Sequence, residues 1–437
     1  MNHIRDPLHG SIPLSLPELR LVDSPFFQRL RNIKQLGFAD LAFPGATHTR
    51  YLHSVGAMHL GSRLFDVLFP DGGDAAADRR AAGGDLPELS PTDRTRLRQA
   101  VRLALLFHDV GHPPLSHTTE GIMPPVRALG LPHPWAGDDR RATHEDYTVK
   151  ILVDSDLTAQ VNRHGEPCGL RAADVADLVS PVPGHHASAW VVQGVDYGPL
   201  LRQLVSSELD ADRMDYLRRD SFFCGVAYGQ FDLEWLVQNV VPVRVGAAVH
   251  LGLHARAIFS FEDFLLSRHH MFLTVYHHHT PVCFGEMLER YFTEAPDEYR
   301  ISSDVEAYAQ DDDAVLWTVL RRSPNPWARR ICARRGFRVL RETRHYSGEP
   351  AGPELERLRD AGIEAFEHTA RGVLSKYAAR DDDEGLKPPA LYVLDDAGGL
   401  TPLETYTPLY RRYADAVLVH RLYVDPDQVE RARQVLA

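Results

Sequence analysis

The chain is poor in cysteine, in basic excess and in long apolar runs, and each shortage removes a class of explanation. Cys168, Cys224, Cys283 and Cys332 are the four cysteines among 437 residues. None forms a C-x-x-C pair, so neither a disulfide framework nor a thiolate zinc knuckle is expected. Lys and Arg total 48 against 60 Asp and Glu, a formal net charge of -12. Duplex-DNA binders draw affinity from phosphate neutralisation, and this balance argues against such a partner. No apolar stretch reaches the ~18 residues that span a bilayer, and the opening Met-Asn-His-Ile-Arg-Asp-Pro lacks the apolar core of a signal peptide. The expectation is a cytoplasmic protein with no membrane partner. No internal repeat is visible. A hydrophobic fraction of 44% with 25% charged residues excludes a mainly disordered chain.

What the chain does have is histidine: 23 residues, grouped rather than scattered. The pattern around them is mainly helical. A hairpin turning at Pro7 and Gly10 opens the chain, and Ser24-Pro25 supplies an N-cap and first helical position. A helix starting at Thr47 or Thr49 runs to about Phe69, with His53, Ala57, Leu60 and Leu64 on one stripe. Residues 71–91 read as a flexible surface loop. A strongly apolar helix then ends at His108-Asp109, stopped by Gly111 and Pro113-Pro114. Residues 144–160 and 199–220 read as amphipathic helices, Val241 to Leu253 as a β-hairpin, and Phe261 to His279 as a helix. His277, His278 and His279 then fall at its end, where an interface, a second metal site or a solvated helix end is open, the last being the favoured reading. After residue 300 the pattern changes. Strands are expected at Phe337–Leu340, Leu391–Leu394 and Val417–His420, a helical stretch near 353–375, and a last helix from Asp425. The expected organisation is a helical body over 1–300 with one or two short hairpins, and a smaller α+β lobe over 301–437.

Chemistry concentrates in four pieces: Arg50-Tyr51-Leu52-His53, His108-Asp109, Gly111 through His117, and Asp210 through Tyr216. A histidine and an aspartate adjacent at a helix end offer one nitrogen and one oxygen ligand. A histidine from an earlier helix and an aspartate from a later one complete a mixed set suited to a divalent transition metal. Asp210 and Asp212 are both open as the later carboxylate on spacing alone. Such a set leaves positions for water and a phosphate oxygen, whose phosphorus the metal can polarise. Arg50 precedes His53 by one helical turn and can reach a phosphate beside the metal.

These stretches resemble the HD-domain phosphohydrolases, and specifically the SAM-and-HD-domain type of deoxynucleoside triphosphate triphosphohydrolase. The resemblance runs in order through Asp6-Pro7-Leu8-His9-Gly10, Phe27 to Gly37, Phe43 to His48, Arg50 to Gly56, His108 to His117, Thr143-His144-Glu145 and Asp210 to Asp220. It is expected in a bacterial-like form with no sterile-alpha-motif domain ahead of it. It implies an HD-domain helical body with His53, His108, Asp109 and Asp212 as metal ligands. The metal would be Mn, Fe, Zn or Co, with Mg a further option alongside the nucleotide. The family pattern Asp-x-Asp-[Lys/Arg]-x-Asp-Tyr favours Asp212 over Asp210. By the same resemblance Arg213 contacts the triphosphate, Tyr216 and Asp220 the deoxyribose, and Gln35 and Leu36 the sugar and base. His112 and His117 turn toward the metal, His144 protonates the leaving oxygen and Glu120 orients that histidine. Asp23, Gln28 and Arg31 match a guanine-nucleotide activator site between subunits, and a homodimer or homotetramer is implied.

The expected reaction is hydrolysis of a dNTP to deoxynucleoside and triphosphate, with GTP or a dNTP as activator. Two other classes stay open from the residues alone. One is a nucleotide-binding sensor with little turnover. The other is an HD nuclease or phosphodiesterase, against which the acidic balance and the Tyr216–Asp220 pair argue.

Overall fold

The computed structural model describes residues 2–71, 86–137, 139–182, 188–345, 353–372, 391–409 and 417–437. The architecture is mainly helical with small sheets. An antiparallel hairpin, Asn2–Asp6 with Gly10–Leu14, pairs Ile4 with Ile12. Immediately after it comes a short helix, Leu16–Val22, which the sequence pattern did not single out. Ser15 and Glu18 form a capping box there, the S-x-x-E pattern that closes two orphan donors at once. Ser24 then caps Pro25–Arg29 as expected.

The body is built on the helices Arg50–Leu68, Pro91–Phe107, His144–Val153, Gly198–Val205 and Ala211–Cys224. Thr49 is the N-cap of the first, and Ser90 caps the second by accepting from Asp93 N. The loop expected at 71–91 lies largely outside the described residues. Each stretch read as one amphipathic helix is in fact two. Ser155 caps a new helix, Asp156–Gly165, and Asp210 caps Ala211–Cys224, because these side chains satisfy backbone N–H groups that a continuous helix would not leave free.

The helix expected over Phe261–His279 also divides. It runs from Ile258 to Met271, widens into a π-turn at Phe272–Tyr276, and restarts as His279–Glu294. His279 is exposed, while the half-buried His278 caps the new helix by accepting from Thr280 N and packs on Phe43.

Val240–Val245 and Ala248–His254 form the expected hairpin. Its second strand pairs in parallel with Tyr392–Leu394, so a strand assigned to the C-terminal lobe belongs to the same sheet as the body hairpin. Farther on, Val417–Val424 lies between Arg338–His345 and Ala365–Gly372 in a three-stranded antiparallel sheet. The helical stretch expected near 353–375 is a helix only over Glu354–Asp360; Gly362, at φ +67, ends it, and the strand Ala365–Gly372 follows. Phe366 and Ala370 from that strand are buried, the outcome of pairing that local helical pattern does not report. One apolar core runs from Ile12 through Leu105, Leu217 and Leu316 to Tyr423.

Candidate metal and catalytic site

Three helices deliver the inner group. His53 sits one turn into Arg50–Leu68 and is fully buried. His108 is the C-cap of Pro91–Phe107, so His108 and Asp109 leave that helix end together. Asp212 occupies the first turn of Ala211–Cys224. His53 Nε2 lies 3.2 Å from His108 Nε2, 2.9 Å from Asp212 Oδ1 and 3.6 Å from Asp109 Oδ2. His108 Nε2 is 3.4 Å from both Asp109 Oδ1 and Asp212 Oδ1. Donor atoms of His53, His108 and Asp109 all lie within 4.8 Å of one another.

These donors suit a divalent cation. His53 Nδ1 is 2.8 Å from Asp215 Oδ2, and His108 Nδ1 is 2.7 Å from the Leu105 carbonyl. A neutral ring that donates its Nδ1–H outward keeps its Nε2 lone pair for the shared centre. The centre is also strongly negative. Burial works against a charged His53 ring, yet hydrogen bonds to Asp212 and Asp215 and the charge of Asp109 raise it to about 10. His108 is raised as well, with Asp109 and Asp212 outweighing burial.

The choice between the two aspartates is geometric. Asp210 Oδ1 accepts from Arg213 N at 2.7 Å and Oδ2 from Ser207 N at 2.6 Å, so both oxygens serve the helix cap. Burial, opposed by Arg213 and reinforced by Asp212, pushes its carboxyl up to about 7. Asp212 is the one whose carboxylate meets the imidazoles.

A buried polar network stands behind His53. Asp215 accepts from His53, from His9 Nε2 at 2.7 Å, and from Arg219 Nε and Nη2 at 2.8 and 3.0 Å. Arg219 in turn donates to Asp6 at 2.8 Å. The N-terminal hairpin, through Asp6 and His9, therefore reaches the candidate metal centre. Gly56 makes room for it: a Cβ there would stand 2.1 Å from Asp215 Oδ1 and 2.3 Å from Arg219 Nη2.

On the other side of Asp109 lies a second group. Donor atoms of His112, His117, Glu120 and His144 lie within 4.8 Å of one another. His112 Nε2 is 3.3 Å from Asp109 Oδ1, and its ring stacks on His144 with centroids 3.8 Å apart. Burial, with Arg50 and His144 adding, holds His112 well below its ordinary value, so it is neutral. His144 Nδ1 is 2.5 Å from Glu120 Oε1, and the exposed His117 is 3.1 Å from Glu120 Oε2. Burial disfavours the Glu120 anion, but these two histidines outweigh it and keep the carboxyl far below the usual range. Arg50 closes the gap between the groups: Nη1 donates to Asp109 Oδ2 at 2.6 Å and Nε to Ser116 Oγ at 2.9 Å.

The remaining expected residues fall in four places. Tyr216 is half-buried, edge-on to His53 at 6.4 Å and to Tyr276 at 6.3 Å. Asp220 accepts from His48 Nε2 at 2.7 Å and Tyr276 OH at 2.8 Å. Gln35 is buried with Oε1 lacking a protein partner, while Leu36 is half-buried beside it. Arg213 is buried against Glu208 and Asp210, at 3.3 and 3.5 Å. Asp23, Gln28 and Arg31 form a separate outer group. Arg31 Nε donates to Gln28 Oε1 at 2.7 Å, its guanidinium lies 3.6 Å from the Tyr51 ring centre, and Asp23 is exposed nearby.

His9, Asp215, Arg219, His48 and Asp313 carry no role in the sequence pattern alone. Asp215 had a signal, since it follows Asp212 by three positions and so shares a helix face with it. Arg219 lies one turn beyond Asp215 on the same helix and pairs with it there, while His9, His48 and Asp313 meet their partners only through the tertiary fold.

Comparison with known proteins fits this geometry. A family model for the HD associated region matches residues 231–350. The chain is 30% identical over 340 residues to an uncharacterized protein of Methanocaldococcus jannaschii, covering 78% of this chain and 59% of that one. It is 29% identical over 346 residues to the deoxynucleoside triphosphate triphosphohydrolase SAMHD1 of Homo sapiens, covering 73% and 51%. The chain thus spans less than two thirds of the length of either relative. A crystal structure of a hypothetical protein from Aquifex aeolicus superposes over 100% of both chains with a TM-score of 0.72 at 26% identity. Together these likenesses support an HD-domain family for this chain.

Proposed function

We propose that the chain is a metal-dependent phosphohydrolase that cleaves deoxynucleoside triphosphates to deoxynucleoside and inorganic triphosphate. The observation that carries this reading is the adjacency of two groups. The His53, His108, Asp109 and Asp212 donors converge on one centre, and a hydrogen-bonded His144–Glu120 pair stands beside it, stacked on His112. Likeness to a triphosphohydrolase over 73% of the chain supports the substrate class.

His53, His108, Asp109 and Asp212 would hold a divalent cation (Mn, Fe, Zn or Co), which when bound would supply a Lewis acid for a phosphoryl oxygen and acidify water. The rest falls to side chains. Arg50 neutralises charge that develops on the α-phosphate, with Arg213 as the second cation. His144, held by Glu120 through Nδ1, delivers a proton from Nε2 to the departing 5′-oxygen, because an alkoxide leaves poorly without one. Tyr216 walls the sugar at its 2′-carbon. Asp220 meets the 3′-hydroxyl: a carboxylate offers about four lone-pair sites, so two protein partners leave it acceptor capacity. Gln35 and Leu36 face sugar and base. The outer Asp23, Gln28 and Arg31 group takes an activator nucleotide in a homodimer or homotetramer.

The test is a product assay across four dNTPs and four NTPs with defined metals, with and without GTP. Release of triphosphate from dNTPs alone is expected. Pyrophosphate or nucleoside monophosphate as product would overturn the reading, and binding without turnover would favour a nucleotide sensor.

A further inference from the structure

Asp311-Asp312-Asp313 is a run of three acids, and such runs are usually solvated faces. Here each member grips a different part of one segment near the site. The Asp311 carbonyl accepts from Arg29 Nε, and Asp312 Oδ2 accepts from Asn32 Nδ2 at 2.9 Å. Asp313 goes deepest. It is 7% exposed, and its two oxygens take two backbone N–H groups from distant loops, Lys34 N at 3.0 Å and Leu115 N at 2.7 Å.

Those loops lead directly to the phosphate machinery. Leu115 and Ser116 are consecutive non-glycine residues at φ 58 and 55, a left-handed pair that L side chains rarely adopt. Such strain persists only where surrounding bonds over-determine it, and it clusters at functional sites. Ser116 Oγ donates to the Lys34 carbonyl at 2.7 Å and accepts from Arg50 Nε at 2.9 Å. Arg50 Nη1 then meets Asp109 at 2.6 Å, and Nη2 meets the Gln35 carbonyl at 3.4 Å. One carboxylate thus ties the Lys34–Gln35 segment to the Leu115–Ser116 turn, and the two together hold the guanidinium.

From this we infer that Asp313 is a positioning residue: it fastens the left-handed Leu115–Ser116 turn to Lys34 and thereby fixes Arg50 over Asp109. The inference rests on the phosphohydrolase reading for its kinetic consequence only. A second consequence is architectural. Asp313 is the first residue of the helix Asp313–Arg322, so a chain ending at residue 300 lacks a part of the site.

Asp313→Asn tests it. An amide keeps the volume but has one acceptor oxygen, so one of the two N–H groups faces a donor. Hydrogen exchange followed by mass spectrometry should quicken about tenfold in peptides covering residues 33–36 and 113–117, the scale of a lost bond to a charged acceptor. Mn content should match the wild type. With dNTP as substrate, kcat should fall about tenfold with KM little changed, because Arg50 acts on charge that develops in the transition state. Asp304→Ala, which removes the cap of the neighbouring helix Val305–Tyr308, controls for stability alone: its Tm should fall while exchange in both peptides and kcat stay put. Unchanged exchange and kcat in folded Asp313→Asn would overturn the inference, as would equal kcat losses in both variants at equal Tm. Should wild-type protein release no triphosphate, the function reading fails while the exchange arm still decides on the clamp.

Discussion

Asp215→Asn should weaken metal binding at the candidate centre without unfolding the chain. The buried carboxylate takes four bonds, from His53, His9 and twice from Arg219. Burial disfavours its charge, but Arg219, His53 and His9 outweigh that and hold it well below the usual carboxylate range. Its bond to His53 Nδ1 keeps the Nε2 lone pair facing the other donors. An asparagine that turns its NH2 toward His53 reverses the demand: Nδ1 must then accept, the proton moves to Nε2, and that atom no longer ligates. Loss of such an outer-shell partner costs about 10- to 100-fold in metal affinity, or about 1.4–2.7 kcal/mol. Arg219 retains Asp6, so the substitution does not leave a bare buried cation. Titration of metal-free protein with Mn, read by calorimetry beside a circular-dichroism melt, gives both numbers. A folded Asp215→Asn protein that binds Mn within about twofold of wild type would refute the reasoning.

Other substitutions probe separate links. Gly56→Ala drives a methyl into the Asp215–Arg219 pair, and denaturant unfolding should show a loss of about 1–3 kcal/mol; an unchanged midpoint would show that the helices part freely. Glu120→Gln should lower kcat by roughly 10²- to 10⁴-fold through His144, and a pH–rate profile that keeps its shape would remove Glu120 from the proton path. His59 is pushed down to about 4 by burial, with His9, Arg63 and Arg102 adding. The unfolded chain therefore binds a proton first. Stability from the neutral ring is full above pH 6.5 and is lost as pH falls toward 4. His59→Gln should flatten that part of the Tm–pH curve, and a curve of unchanged slope would contradict the assignment.

Much of the site was legible because its elements are local. A helix opening at Thr47 or Thr49 with His53 near its start, and His108-Asp109 closing another, follow from capping and period. Asp212 and Asp210 could not be separated that way, since the decision lies in Ser207 and Arg213 N–H groups that claim Asp210. The network behind the site was illegible for a different reason. His9 meets Asp215 across 206 residues, and Asp313 meets Leu115 across 198. No period or local propensity encodes such pairs. The strand Ala365–Gly372 went unseen because its partner, Val417–Val424, supplies the pairing that overrides local pattern.

The central claim is that these donors and cations direct water to the α-phosphorus of a dNTP. Turnover of a dNTP by Mn-loaded protein in heavy-oxygen water, with the products resolved by mass spectrometry, tests it most directly. The account predicts label in the released triphosphate and none in the deoxynucleoside. Label in pyrophosphate or in a nucleoside monophosphate, or an unlabelled triphosphate, would contradict it.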